Sequence, residues 1–97
     1  MGRKYLHITE VIKTCGVDKE FILQLERESM IRPVTQRRRK LYPADQVDRI
    51  RVANLLIREM GVNLEGAEVV LHMREQMIAM QRQFNEVLRL SGQEVKR

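Results

Sequence analysis

The stretch Ile8-Thr9-Glu10-Val11-Ile12-Lys13-Thr14-Cys15-Gly16-Val17-Asp18-Lys19-Glu20-Phe21-Ile22-Leu23-Gln24-Leu25-Glu26-Arg27-Glu28 decides the fold. Ile8, Val11 and Ile12 stand at helical spacing, so a short helix is expected from Ile8 to Thr14, with Thr9 capping or opening it. Cys15-Gly16-Val17 breaks the pattern, and Gly16 supplies backbone that turns left-handed without penalty. Asp18 is a good N-cap for a second helix running to about Glu28, with Phe21, Ile22 and Leu25 on its apolar face. Two short helices joined by a tight glycine-containing turn make a helix-turn-helix. Many helical hairpins share that pattern, so its flanks have to specify it further.

Downstream, Pro33 in Ile31-Arg32-Pro33-Val34 ends any helix and sets an extended path. Residues Val34-Thr35-Gln36-Arg37-Arg38-Arg39-Lys40-Leu41-Tyr42 start and end in strand-friendly types around a basic tip, which predicts a two-stranded wing. Pro43 fits the first turn of the next helix. Val47, Ile50, Val52, Ala53, Leu55, Leu56, Ile57 and Met60 predict a mostly buried helix over residues 44–60, closed by Gly61. Asn63-Leu64-Glu65-Gly66 opens the last element, one long helix from about Glu68 to Leu90. On it Val70, Met73, Met77, Met80, Phe84 and Val87 follow spacings of 3, 4, 3, 4 and 3. That narrow heptad seam calls for a partner helix, and a homodimeric coiled coil is the preferred occupant. Methionine also makes adaptable surfaces, so a partner-protein groove stays open as the alternative. The tail from Ser91 to Arg97 is expected to fray. The expected division is a domain over residues 1–66 and a dimerisation helix with its tail over 67–97.

Ninety-seven residues suffice for one domain with an appended element. Apolar residues at 43% and charged residues at 32% suit a folded domain, and with aromatics at 4% its core must come from Leu, Ile, Val and Met. No apolar run approaches the roughly 18 residues of a membrane span. Met1-Gly2-Arg3-Lys4-Tyr5 leads into no signal-peptide core, and a cytoplasmic location is expected. Cys15 is the single cysteine, which excludes an internal disulfide and a cysteine-rich metal site. His7 and His72 lie far apart without partners at ligand spacing, so no metal is expected. There is no glycine-rich phosphate loop, and neither Ser29 nor Ser91 has a nucleophile context. No enzyme activity, cofactor or small-molecule substrate is expected. The net charge is +5. Residues 1–60 hold 13 Lys/Arg against 8 Asp/Glu, and residues 61–97 hold 5 against 5, so the basic excess belongs wholly to the first part. A localised excess of this kind points to a polyanion, with nucleic acid first, and otherwise to a solubilising surface.

Taken in chain order, Tyr5, Ile8-Thr9-Glu10-Val11, Gly16-Val17, Glu26-Arg27-Glu28 followed by Ile31-Arg32-Pro33, and Leu41-Tyr42 resemble the DNA-binding domain of MerR-type regulators over roughly residues 5–72. The segment from Gly61 to Leu71 is similar to the branch containing the heat-shock repressor HspR and the chaperone modulator CbpM. The resemblance implies a mainly α, winged helix-turn-helix fold with a small wing, followed by a long dimerising helix. HspR-type proteins bind operator DNA, and CbpM-type proteins bind the J-domain of a DnaJ-like co-chaperone. By the same resemblance, Lys40 and Tyr42 fall where the family's wing presents an Arg and a Tyr to the phosphate backbone. The family's recognition-helix Arg positions fall on Glu20 and Leu23, and its Tyr position on Gln24.

Two functions follow as expectations. In the first, a dimer binds double-stranded DNA with Arg37, Arg38, Arg39, Lys40 and Tyr42 on the backbone and with Lys19, Gln24 and Arg27 near the groove. Wing contacts of this kind set affinity and register, and steep salt dependence is expected. Regulation would come from a protein partner such as a DnaJ/DnaK-type chaperone, because the chain has no room for a large effector domain. In the second, the acidic second helix is the binding surface. From Asp18 to Glu28 there are four acids and two bases, a local charge of −2. Asp18, Glu20 and Glu28 would then meet the basic helical surface of a J-domain.

Overall fold

Asp18 begins the second helix as its side chain requires. In the computed structural model, which describes residues 4–92, the Asp18 carboxylate accepts from the Phe21 backbone N–H at 2.9 Å. That bond is the main reason its pKa lies below the ordinary carboxylate value, with Arg58 adding to the effect. A depressed folded pKa means that the cap's contribution is complete above the unfolded pKa of about 4 and is lost as pH falls through the lower folded value. Thermal melts from neutral to strongly acidic pH should therefore show a loss of stability that Asp18→Asn removes, since asparagine caps without titrating. Identical acid sensitivity in the two proteins would refute this role.

The elements are β1 (Tyr5–Leu6), α1 (Ile8–Cys15), α2 (Lys19–Arg27), β2 (Val34–Gln36), β3 (Arg39–Pro43), α3 (Ala44–Asn54), a π-helical turn (Leu55–Glu59) and α4 (Leu64–Leu90). This is the mainly helical winged helix-turn-helix that the sequence led us to expect. Gly16 adopts φ +68° and its N–H closes on the Ile12 carbonyl at 3.0 Å, so the turn between α1 and α2 is the left-handed helix end anticipated there. Several local expectations need correction. His7, not Thr9, is the N-cap of α1, and the Glu10 carboxylate accepts from its backbone N–H at 2.8 Å. Cys15 lies in the last turn of α1 rather than in the loop, half-buried, and burial raises its thiol pKa.

The sheet has three strands, in the antiparallel order β1-β3-β2. Tyr5 pairs with Pro43 and Leu6 with Tyr42, which adds a strand to the expected two. Pro43 ends β3 and caps α3 from outside, in place of the first-turn position expected for it. Its missing N–H costs nothing there.

Val11, Phe21, Ile22, Leu25, Tyr42, Val47, Ile50, Ala53 and Leu56 close the core between the helices and the sheet. The expected uniform helix over residues 44–60 instead widens at Leu55, where the Met60 N–H reaches the Leu55 carbonyl at 3.0 Å. Leu55 and Met60 are exposed. Five apolar residues in the run 52–57 encircle a helix, and only one side of it meets the core.

α4 starts four residues before the expected position, because the Asn63 side chain accepts from the Gly66 N–H at 2.7 Å. A Cβ on Gly66 would stand 2.9 Å from that same Asn63 oxygen, so glycine lets the cap close. The expected boundary after residue 66 falls inside this helix, whose Ala67 and Leu71 are buried in the core. Arg74 pairs with Asp48 at 2.7 Å, and Arg49 pairs with Glu75 while its Nε donates to the Met30 carbonyl at 2.7 Å. These contacts fix the direction in which α4 leaves the domain. The expected fraying tail beyond Gly92 lies outside the described residues.

Candidate nucleic-acid interface

The wing is a hairpin whose geometry conflicts with its own sequence. Gln36 pairs with Arg39, which leaves Arg37 and Arg38 as the two central residues of the turn, at φ +52° and +63°. A two-residue hairpin turn with both central residues left-handed normally takes Asn-Gly, because a Cβ there costs about 1–2 kcal/mol per residue. Two arginines hold it here. Strain that local preference does not explain tends to mark functional positions. Arg37, Arg38 and Arg39 are exposed, and among the described residues none of the three has a carboxylate within ion-pair distance. Arg37 and Arg39 line a shallow recess of about 690 Å³ with Tyr5, His7, Gln36 and Leu41.

Lys40 and Tyr42 are placed differently from the arginines. They stand two residues apart on β3 and therefore on one face of the strand. Both reach Glu26 in the last turn of α2. The Lys40 Nζ lies 2.8 Å from Glu26 Oε1, and the Tyr42 hydroxyl donates to Glu26 Oε2. Tyr42 is fully buried. The expectation that it contacts the DNA backbone is corrected: its ring is core, and its hydroxyl is committed to a carboxylate. Burial first, and the Glu26 contact second, push the Tyr42 pKa well above its ordinary value. Glu26 was the residue missed. Its acidity counted only towards the charge of α2, because a pairing 14 and 16 positions away leaves no local signal.

On α2, Lys19, Gln24 and Arg27 are exposed, as a groove-facing set would need to be. Arg27 lies at 3.9 Å from Glu20, which dilutes its charge. Glu20 and Glu28 are exposed as well. Asp18 is occupied by its cap and by Arg58 at 3.3 Å, and the Arg58 guanidinium stacks 4.2 Å over the Phe21 ring. The π-helical turn is thereby fastened to the start of α2.

Along α4, the residues Val70, Met73, Met77, Met80, Phe84 and Val87 are all exposed, with Met77 at 68% and Phe84 at 61%. Single exposed apolar residues are ordinary, but a stripe at heptad spacing is not. Among the described residues no group of His, Cys, Asp and Glu is arranged to hold a metal ion, and no helix is long and apolar enough to cross a membrane.

The comparisons with known proteins fit this arrangement. The family model described as MerR HTH family regulatory protein matches residues 6–89, from β1 almost to the end of α4. No curated protein and no solved structure matches the chain. With the helix-turn-helix, the hairpin wing and the long final helix all inside one family match, the chain belongs to the MerR family of helix-turn-helix regulatory proteins.

Proposed function

We propose that this chain is a DNA-binding transcription regulator of HspR type, which holds operator DNA as a homodimer joined through the α4 seam. The observation that carries the reading is the strained, exposed arginine tip at Arg37, Arg38 and Arg39. A turn that would be more stable as Asn-Gly keeps its arginines where a phosphate chain rewards them. Pairing through Val70, Met73, Met77, Met80, Phe84 and Val87 covers an apolar stripe that a lone protomer leaves in water. It also doubles the wing to six exposed arginines. Backbone contact through all six gives log K a slope of about −5 against log salt. Lys19, Gln24 and Arg27 are the candidates for reading bases, with Arg27 weakened by Glu20.

Fluorescence anisotropy against DNA from the chain's own promoter region, at low and near-physiological salt, tests the reading. Sequence-dependent binding that survives the higher salt supports it. Binding that never discriminates between sequences refutes an operator role.

The exposed acids of α2 favour one second reading, a CbpM-type modulator that binds the J-domain of a DnaJ-like co-chaperone. Glu28 and Glu20 are exposed and can face a basic helix, Glu20 with Arg27 at 3.9 Å beside it, whereas Asp18 is engaged in its cap. Titration with J-domain proteins from the same source decides it: saturable binding lost in a Glu20→Lys, Glu28→Lys variant supports this reading, and no binding removes it. The two readings are compatible, since a DnaJ/DnaK-type chaperone can act as the regulator's partner.

A further inference from the structure

We propose that Glu26 is an intramolecular competitor of the DNA backbone, which retains Lys40 on the protein and so limits the wing to three of its four cations. The proposal rests on the reading that the wing binds DNA. Glu26 is 16% exposed and has one donor on each oxygen, the Lys40 ammonium on one and the Tyr42 hydroxyl on the other. A carboxylate withdrawn this far from water needs those donors, because an unpartnered buried charge is costly. Tyr42 belongs to the core, so the Glu26 carboxylate is held in place and cannot swing away with Lys40. Lys40 is 46% exposed, enough to offer its remaining donors to solvent. A phosphate that approached it would meet the Glu26 charge at close range. Among the described residues no carboxylate pairs with Arg37, Arg38 or Arg39. Four consecutive bases therefore act as three.

Glu26→Gln keeps the shape and an acceptor for Tyr42 but removes the charge. The full chain, this variant, Lys40→Gln and the double variant are titrated with a mixed-sequence duplex of about three helical turns over a range of salt. Glu26→Gln is expected to bind about fivefold to tenfold more tightly at low salt, with a slope steeper by about 0.9 per wing. Adding Lys40→Gln to it is expected to abolish the gain. If wild type binds and Glu26→Gln binds no tighter, the proposal fails while the wing reading stands. A gain that persists in the double variant also overturns it, because the released lysine is then not its source. Wild type that fails to bind even at the lowest salt overturns both. Should Glu26→Gln not fold, side-chain NMR of the wild type provides the test. The Lys40 ammonium signal is expected to stay in place as DNA is added while the wing guanidinium signals move, and a shift of the Lys40 signal refutes the proposal.

Discussion

Replacing Arg37, Arg38 and Arg39 together by alanine is expected to lower DNA affinity by about three orders of magnitude at low salt and to flatten its salt dependence. In the proposed dimer the change removes six of the proposed phosphate contacts, and counterion release gives about 0.9 of slope for each. All three side chains are exposed and lie outside the core, so the fold should persist. Unchanged affinity in a folded variant would remove the wing from the interface altogether. A companion variant separates grip from stability. Arg37→Asn with Arg38→Gly supplies the residues that the turn prefers, at φ values now held by two arginines. It is expected to gain about 1–2 kcal/mol of stability, read as a thermal midpoint several degrees higher, while losing affinity through four missing contacts in the dimer. Opposite signs from the two measurements would identify strain kept for function. A rise in both, or a fall in both, would contradict that account.

Truncating Leu71 is expected to damage the fold severely. The residue is fully buried where α4 enters the core, and Leu→Ala at such a site costs about 2–5 kcal/mol. That is a large part of the roughly 5–15 kcal/mol typical of a whole domain. Six positions further along the same helix, Met77 is 68% exposed in the protomer. Met77→Ala should leave the dilute protomer within about 0.5 kcal/mol of wild type. With the proposed α4 dimer, its effect belongs to association and should appear only where concentration favours that dimer. Chemical denaturation at several protein concentrations distinguishes the two. Leu71→Ala shifts the midpoint at every concentration, whereas Met77→Ala shifts it only at high concentration. Sedimentation should show the corresponding loss of dimer, and a Met77→Ala protein that associates as well as wild type would exclude Met77 from the interface.

Where a signal was local, the sequence was legible. The cap at Asp18, the glycine turn at Gly16, the break at Pro33 and the basic hairpin each depend on residues within a few positions of one another. So does the heptad stripe of α4, which needs only its own spacing. The start of α4 was misplaced for a local reason as well. Leu64 and Ala67 already follow the helical period and Asn63-Leu64-Glu65-Gly66 reads as an opening, but which residue caps the helix shows only in the bond from the Gly66 N–H to the Asn63 side chain.

What the sequence by itself determined is the set of elements, their order and the chemistry on offer: a helix-turn-helix, a basic wing, an acidic second helix and an apolar stripe. Only the tertiary structure decided which of those charges remain available. Tyr5 and Leu6 form a strand because β3 presents an edge to them, and two residues carry no periodicity of their own. Tyr42 changes from a surface candidate to a core residue, and Lys40 from a free cation to a paired one, because α2 packs with Glu26 against β3. Helix caps and periodicity arise from neighbours in the chain, whereas the availability of a charge depends on the counter-charge that folding brings beside it.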